Sequence, residues 1–570
     1  MRKLSFSVSK TIKFFRREEI FVLTIIFLAV LTAIYPLIYE LKAIAANQLP
    51  EIRYPIIESD FAPDMRVHLS RMRQGYEGKW LVKEKYTAEP HQPSIFHISY
   101  LLMGKVTGFF GLQPEQAWPI WRIIGGVFWL GAGYFFLLHC FAEKRLRLSA
   151  FALFVLVGNI PILVKSGGIP LGEWQFSTYL PWFTFYDPAK RIIFLPHYTF
   201  SAAFLTLTMA FLGEGIGSWR RKRFWQAGIF AFLAGIVMPH SLVIAATTGV
   251  FLILIDILSK ISQGHFRERL GKAISLSWPF WVLIALCLVL YKLSFSYFPW
   301  NVQSLADLTK RNFQFEYPNV LRALGLTGPL ALLALVLVFW RKLKTGYLSA
   351  CWFLAVVVWV KVFEIFPISN PQRFTQIDVH LPLAVLTVIL FDFLTQLVKK
   401  RKRAVFNFLM GFILLPSLLN WAISMRAQTL IIEAKIKADV PLVPQLPYLV
   451  YPIKPVMEAV FWLRDNTDHE QVVLTAETLG SMIPAYAGNT VVVGHGNQTV
   501  YFEQKMAAVK RFYQNQMNAL GQAEFLSTNR VKYIFWGPEE REISGLNQAP
   551  NWPWPTVYNN QGVVIYQVSN

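Results

Sequence analysis

Charge is scarce in this chain of 570 residues, and acidic charge scarcer still: Asp, Glu, Lys and Arg make up 16%, with 34 acidic against 55 basic side chains. So few charged groups, set against 54% hydrophobic residues, exclude an ordinary soluble protein of this length. Cysteine is nearly absent. Cys140, Cys287 and Cys351 all fall in or beside apolar runs, which excludes a disulfide framework and leaves them as small core residues. A nucleotide-binding fingerprint is also missing: Gly494-His495-Gly496 is glycine-rich but lacks the phosphate-loop spacing. The net charge of +21 sits largely in short loops between apolar runs, as the positive-inside rule expects, and so argues for a membrane rather than nucleic acid as partner.

What the chain does have is apolar length. Runs at 20–41, 149–164, 280–291 and 381–397 alternate with short basic clusters, and about 20 apolar residues suffice to cross the hydrocarbon. The 47 Phe, 22 Tyr and 19 Trp suit a lipid-facing surface with interfacial aromatic belts. Basic 1–17 leads into a run longer than the core of a cleavable signal, so it reads as a signal anchor with a cytoplasmic N-terminus.

The remaining clusters are Lys144/Arg145/Arg147, 220–223, 260–272, Arg341/Lys342/Lys344 and 399–403. Placing all of them inside gives eleven spans, near 20–42, 118–141, 148–165, 196–213, 224–238, 240–258, 274–293, 325–340, 347–366, 380–397 and 404–424. The division at Pro239-His240 follows because 224–258 is too long for one helix and proline breaks it. Segment 94–111 is apolar but barely long enough to cross, and a crossing would move every later cluster to the wrong side. It therefore reads as a helix in or on the outer interface. The expected architecture is an α-helical polytopic membrane domain over 1–428, with interfacial helices in a first outer loop (43–117), then a small extracytoplasmic α/β domain over 429–570. The setting is the plasma or inner membrane, and the other outer loops are 166–195, 294–324 and 367–379.

The first outer loop is unusually polar. Pro63 suits the first turn of a helix, which sets Asp64 near the positive end of its dipole. Met65, Leu69, Met72 and Tyr76 then form one apolar stripe, and Asp64, His68 and Arg71 share a neighbouring face. The helix is amphipathic, as a helix lying at an interface would be. Its charges either solvate that face and cap the helix, or Asp60 or Asp64 serves as a base facing a lipid-linked substrate.

The order of features resembles the C-type (GT-C) glycosyltransferases, notably the protein O-mannosyltransferases and bacterial aminoarabinose transferases. The resemblance is carried by Ser59-Asp60, Asp64, Gln74-Gly75 to Trp80, Glu89-Pro90-His91-Gln92-Pro93, Phe109-Phe110-Gly111 and Trp121-Arg122. It covers the N-terminal third in residues and the later spans in topology. It departs at Gln92-Pro93, where those enzymes have two prolines, and the usual Asp-Glu pair is missing, so either Asp60 or Asp64 can hold the base position. The resemblance implies inverting sugar transfer, at the outer face, from a polyprenyl-phosphate-sugar lipid to a glycan, lipid or protein acceptor. Such chemistry needs a carboxylate to deprotonate the acceptor hydroxyl and a cation or metal to stabilise the leaving phosphate. Asp60, Asp64, His68 and His91 are chemically competent ligands for a divalent metal, without a diagnostic spacing.

Several later positions are candidate substrate contacts beside His68, His91 and Arg122. Arg373, just before the span from 381, is similar in place to the late-loop phosphate-binding arginine of GT-C enzymes; the alternative is an interfacial anchor. His240 is either a helix-turn residue or a substrate contact. Glu173, Asp187, Lys190, Arg191 and His197 lie among Trp174, Tyr179, Trp182, Phe183, Phe185 and Tyr186, a mixture that suits carbohydrate and equally an interfacial belt. Lys310 and Arg311 either attract phosphate or are simply solvated.

Beyond a proline-rich linker at 441–447, helices near 455–466, 477–483 and 503–525 alternate with strands near 471–475, 490–494, 531–536 and 562–566, which argues for an α/β domain. Stretches 485–499 and 505–513 resemble a C-terminal module of uncharacterised bacterial GT-C-type proteins. His495 there either touches an acceptor or stabilises a turn, and Asn497-Gln498-Thr499 is a glycosylation sequon. Two other classes stay open: a transporter or flippase of lipid-linked saccharides, and a non-catalytic cell-envelope assembly protein. A transporter places ionisable groups near the midplane, whereas Lys361, Glu364, Asp256 and Asp392 sit near span ends.

Overall fold

The computed structural model describes residues 16–58, 62–177, 186–259, 266–303, 315–367, 370–376, 378–398, 400–437 and 451–569. The chain divides into two compact units: Met1–Pro36, Arg122–Leu288 and Phe313–Gln428 form the first, and Leu37–Trp121, Val289–Asn312 and Thr429–Asn570 the second. The linker at 441–447 and the residues Asp60, Lys310 and Arg311 lie outside the described residues.

This is a multi-pass membrane protein. Among the described residues seven helices are long and apolar enough to cross: Glu18–Ala45, Pro114–Cys140, Pro196–Ser218, Pro239–Leu258, Phe266–Ser294, Lys344–Ile365 and Lys402–Lys437. The pair Tyr317–Ala323 and Thr327–Trp340, bent by 94°, makes an eighth if taken as one span. A helix lies at each of the eleven expected places, but four of them are short. Arg221–Val237 and His380–Gln396 have 17 residues each, Thr327–Trp340 has 14, and Lys144–Leu156 has 13. The last ends well before 165 because Gly158, Asn159 and Ile160 precede Pro161, which disfavours helix in the residue before it. Met238 leaves the helix at φ −151°, so the run 224–258 divides at Pro239 as proline requires.

In the first unit Ala227, Ala231 and Ala234 are fully buried along Arg221–Val237, small side chains that let membrane helices approach closely. After Leu156 comes an unexpected three-stranded antiparallel sheet: β1 (Ile162–Val164), β2 (Ile169–Leu171) and β3 (Trp174–Ser177), in the order β1-β3-β2. Its β2–β3 turn uses Gly172 at φ +63°, a conformation that glycine adopts without Cβ strain.

In the second unit the first outer loop supplies helices α1 (Ala62–Tyr76) and α2 (Ile98–Phe109). They cross through a pair of glycines. A Cβ on Gly75 would lie 1.9 Å from the Leu101 carbonyl oxygen, and one on Gly104 would lie 1.9 Å from that of Met72. With 12 residues, α2 is about 18 Å long, too short to cross. Tyr100, Leu101, Met103, Gly104 and Thr107 are buried while Leu102, Val106, Phe109 and Phe110 stay exposed, giving it one apolar outer side.

The C-terminal part of this unit consists of α3 (Lys454–Asn466), α4 (Glu477–Tyr486), α5 (Phe502–Tyr513), α6 (Ala519–Thr528) and α7 (Pro538–Ser544) with a five-stranded sheet. The strands are β4 (Val472–Leu474), β5 (Thr490–Val491), β6 (Val531–Trp536), β7 (Thr556–Asn559) and β8 (Val564–Gln567), in the order β5-β4-β6-β8-β7. β5, β4 and β6 run parallel, and β8 and β7 are added antiparallel. Leu474, Val492, Val509, Phe512, Ile534 and Trp536 form its core. The expected helix 503–525 is two, because Asn515 takes a left-handed turn (φ 55°) and the Asn518 side chain caps α6 by accepting from the Gly521 N–H. Strand β7 escapes a sequence reading because it is a half-exposed edge strand with little apolar alternation.

Gly104→Ala forces a backbone-to-backbone contact apart, so it should destabilise the protein by about 1–3 kcal/mol. Gly131→Ala, with nothing within 4 Å, should be neutral, and thermal unfolding of the two purified variants checks the contrast.

Candidate active site

Helix α1 is charged yet buried along its whole length from Met65 to Gly75, so its charges meet protein groups instead of water. Arg66 makes a two-pronged contact with Glu58, both oxygens at 2.6 Å, and Glu58 also accepts from the Tyr486 hydroxyl at 2.8 Å. Burial alone would raise the Glu58 carboxyl, but the adjoining guanidinium outweighs it and holds the group below the usual carboxylate range. Arg73 donates to the Ala485 carbonyl at 2.7 Å and to Glu115 at 3.2 Å. Arg71 donates to His68 Nδ1 at 3.1 Å and to the Gln498 side-chain oxygen at 3.0 Å, with Glu84 3.6 Å away. Burial pushes the Glu84 carboxyl up despite Arg71. His68 stacks on Tyr100 at 4.1 Å, and because Arg71 donates to its Nδ1, the neutral ring carries its proton on Nε2.

One carboxylate of the helix keeps access to solvent. Asp64, in the first turn, has a side chain 39% exposed, and its Oδ1 lies 3.1 Å from Nε2 of His495. The Asn497 N–H donates to His495 Nδ1 at 3.2 Å, so the neutral imidazole holds its proton on Nε2 and presents it to Asp64. The same turn is anchored through Gln498, whose side chain accepts from Arg71 and whose carbonyl accepts from the Gln303 amide at 2.5 Å. Asp64, His68 and Arg71 thus share a face as the helical spacing predicts. His91 stands apart: its Nε2 accepts from the Glu84 N–H at 3.0 Å and its Nδ1 donates to the Glu89 carbonyl at 2.7 Å, so it clips loop 84–91, and burial holds its pKa below the usual value. The sequence reading missed Glu58, Glu84 and Gln498, and did not pair His495 with Asp64; no local pattern marks the contacts of Gln498 and His495, about 430 positions from α1.

The other predicted positions belong to the first unit. Arg191 is fully buried and donates to the carbonyls of Phe154 and Tyr186 at 2.9 and 3.0 Å, to that of Val157, and to His380 Nδ1 at 3.0 Å. Burial lowers its pKa to about 9. Asp187 accepts from the Ser424 hydroxyl, and its carbonyl takes the N–H groups of Lys190 and Arg191. Lys190 is buried, and Arg122 donates to the Ile193 carbonyl at 2.5 Å. These four order the backbone at 186–193. His197 lies against the Tyr198 ring at 4.3 Å, and Glu173 is exposed at the β2–β3 turn. Tyr179, Trp182, Phe183 and Phe185 are outside the described residues.

His240 and Arg373 fall in a different cluster. The His240 ring meets Phe374 edge-on at 5.1 Å, and Ser241 Oγ donates to Asp378 Oδ2 at 3.2 Å. Asp378 and Gln376, both buried, went unnoticed in the sequence; only their place between Arg373 and an apolar span hints at them. Burial raises the Asp378 carboxyl to about 7, against a lowering by the Ser241 hydroxyl. Among the described residues no three His, Cys, Asp or Glu side chains converge to hold a metal ion.

No family model matches the chain, and no curated protein matches its sequence. Among solved structures, the oligosaccharyltransferase of Archaeoglobus fulgidus in its apo form is 14% identical with a TM-score of 0.51, over 90% of this chain and 69% of that one. The same archaeal enzyme, AglB, in complex with an inhibitory peptide and a dolichol-phosphate is 12% identical with a TM-score of 0.50, over 91% of this chain and 70% of that one. ArnT from Cupriavidus metallidurans bound to undecaprenyl phosphate is 12% identical with a TM-score of 0.45, over 93% and 97%. The likeness to the archaeal enzyme shows the fold: this multi-pass membrane protein shares the overall fold of that oligosaccharyltransferase.

An acid raised from 3.8 to about 7 by folding binds its proton more tightly in the folded than in the unfolded chain. Stability therefore falls as pH rises from about 4 to about 7 and stays reduced above. Asp378→Asn, which cannot ionise, should be more stable than wild type at pH 8, by a few kcal/mol at most, and should lose that advantage near pH 4. Melting curves at the two pH values check it.

Proposed function

We propose that the protein is a membrane glycosyltransferase that moves a sugar from a polyprenyl-phosphate-linked donor to a hydroxyl-bearing glycan, lipid or protein acceptor at the outer face of the membrane. In this reading the N-terminus is cytoplasmic and the C-terminal domain extracytoplasmic. The observation that carries the proposal is the accessible Asp64 carboxylate, held at 3.1 Å by His495 on an otherwise buried helix of a GT-C fold. The dolichol-phosphate in the archaeal enzyme's complex supports a polyprenyl lipid as donor.

The chemistry follows from these groups. Asp64 takes the acceptor proton as its oxygen attacks the anomeric carbon, the sugar–phosphate bond breaks on the opposite face, and the configuration inverts. The polyprenyl phosphate leaves with the electron pair, a charge that an adjoining cation must offset. His495 keeps the carboxylate oriented with its Nε2–H, and Arg71 with Glu84 and Gln498 fixes the face from which Asp64 projects. Asp60 is the competing base, and we assign the role to Asp64 on account of His495.

The test is transfer of labelled sugar from polyprenyl-phosphate lipids in membranes. Asp64→Asn should lose on the order of 10²- to 10⁴-fold in rate, with a much smaller loss for Asp60→Asn. Full activity in Asp64→Asn with loss in Asp60→Asn moves the base. A wild type that transfers nothing yet flips lipid-linked saccharide in proteoliposomes is a transporter.

A further inference from the structure

The small sheet of the first unit has two unequal faces. Its register pairs Leu163 and Ile169 with Phe176, and Leu171 with Trp174. Paired residues share a face, as do residues two apart along a strand, so these five side chains lie together. Ile162, Val164, Pro170, Gln175 and Ser177 make up the opposite face. One face is thus wholly apolar, whereas the other includes a polar amide and a hydroxyl. No side chain of the apolar face is buried: Leu163 is 53% and Trp174 61% exposed, and the other three are partly exposed. A face of this kind is favourable only against an apolar neighbour.

Chain lengths set the depth at which the sheet sits. Helix Lys144–Leu156 opens with Lys144, Arg145 and Arg147, which hold its start at a membrane boundary. Its 13 residues rise about 20 Å, about 10 Å short of crossing the hydrocarbon. Residues 157–160 are not helical and, if extended, cover about 13 Å, which brings β1 to the opposite boundary. Non-helical backbone is tolerated at such depth only where protein satisfies it. Here the Val157 carbonyl accepts from Arg191, and Ile160 donates to the Arg322 carbonyl and accepts from the Arg322 side chain, each at 3.2 Å. Arg322 also donates to the Ser177 carbonyl at 2.7 Å, so one guanidinium pins the chain where it enters the sheet and where it leaves.

We propose that the apolar face of β1–β3 is a lipid-docking surface: it rests on the leaflet opposite Lys144, with Leu163 and Trp174 entering the acyl boundary. A glycan does not fit, because none of the five side chains except the Trp174 indole N–H can hydrogen-bond a hydroxyl. A second copy of the chain does not fit either, since five side chains fall far below the roughly 20–30 residues a side of a stable interface. The bilayer fits in depth and in chemistry. Tryptophan favours the membrane–water interface, and exposed Lys165 and Glu173 at the two turns give the apolar face a polar rim. The Lys165 stem can lie along the apolar layer while its ammonium reaches water. Strands β1 and β2 are both edges, and unpaired edge groups keep the sheet flat at head-group level instead of inside the hydrocarbon. The inference holds whether or not the protein transfers sugar.

The test reads the surroundings of each face in a bilayer. Leu163→Cys, Leu171→Cys and Trp174→Cys on the apolar face, and Gln175→Cys on the other, are each labelled with a nitroxide in the full-length protein, whose own three cysteines are buried. The labelled variants are reconstituted in nanodiscs of phosphatidylethanolamine and phosphatidylglycerol. Spin relaxation by oxygen, which dissolves in the acyl layer, is compared with relaxation by chromium oxalate, a charged complex confined to water. The ratio of oxygen to chromium oxalate accessibility should be on the order of tenfold higher at 163, 171 and 174 than at 175. Three positions on one face keep the result from hanging on the folding of a single variant. Equal ratios on the two faces, or a higher ratio at 175, overturn the proposal. Apolar-face labels that neither reagent reaches overturn it too, because protein then covers the face.

Discussion

The second unit depends on the burial of a charged helix. Arg66, Arg71 and Arg73 are each 2–3% exposed, and a guanidinium taken out of water without a partner costs several kcal/mol. The protein answers with fixed partners: Glu58 for Arg66, Glu84 and Gln498 for Arg71, and the Ala485 carbonyl and Glu115 for Arg73. Three of these contacts reach C-terminal groups: Tyr486 on Glu58, Ala485 on Arg73 and Gln498 on Arg71. The first outer loop and the C-terminal domain therefore stand or fall together, although more than 300 residues of membrane helices separate them in sequence.

The same requirement reaches the surface of the loop. Lys83 and Lys85 meet Glu470, whose carboxyl goes down to about 2: burial would raise it, and the two lysines overcome that. Lys505 joins Glu89 and Thr87, and His469 joins Glu77. Exposed pairs such as Lys83–Glu470 add little each. Together with the buried set they leave α1 one orientation, in which Asp64 faces His495. In the proposed reaction that orientation replaces flexibility at the base with a fixed hydrogen bond.

Much of the fold was legible because it obeys simple constraints. Apolar length and basic loops located the membrane helices, proline placed the break at 238–239, and the crowding of charge between 58 and 75 singled out α1. The reading failed where apolar composition hid a local stop and where the cause is not local. The helix after Lys144 is cut short by the Gly158-to-Pro161 stretch, and β1–β3 follow in a loop with no strand-like alternation. The amphipathic pattern of α1 shows a polar face but not its partners, of which Tyr486 reaches Glu58 and Ala485, His495 and Gln498 reach α1 from distant parts of the chain. His68, Arg71 and Asp64 were legible as a face because spacing of three and four defines one. His495 and Gln498 were not assigned to them, since only the fold brings 495–498 to 64–71. Asp378 and Gln376 escaped for a further reason: burial of a polar side chain has no sequence signature.

In the proposed mechanism the C-terminal domain, through His495, orients the Asp64 carboxylate for proton transfer. Its most direct test is the steady-state kinetics of His495→Ala with a sugar-bearing polyprenyl phosphate. In this variant kcat should fall on the order of tenfold to a hundredfold while the KM for the donor and the melting temperature stay near wild type. An unchanged kcat would contradict it, as would a loss confined to donor KM.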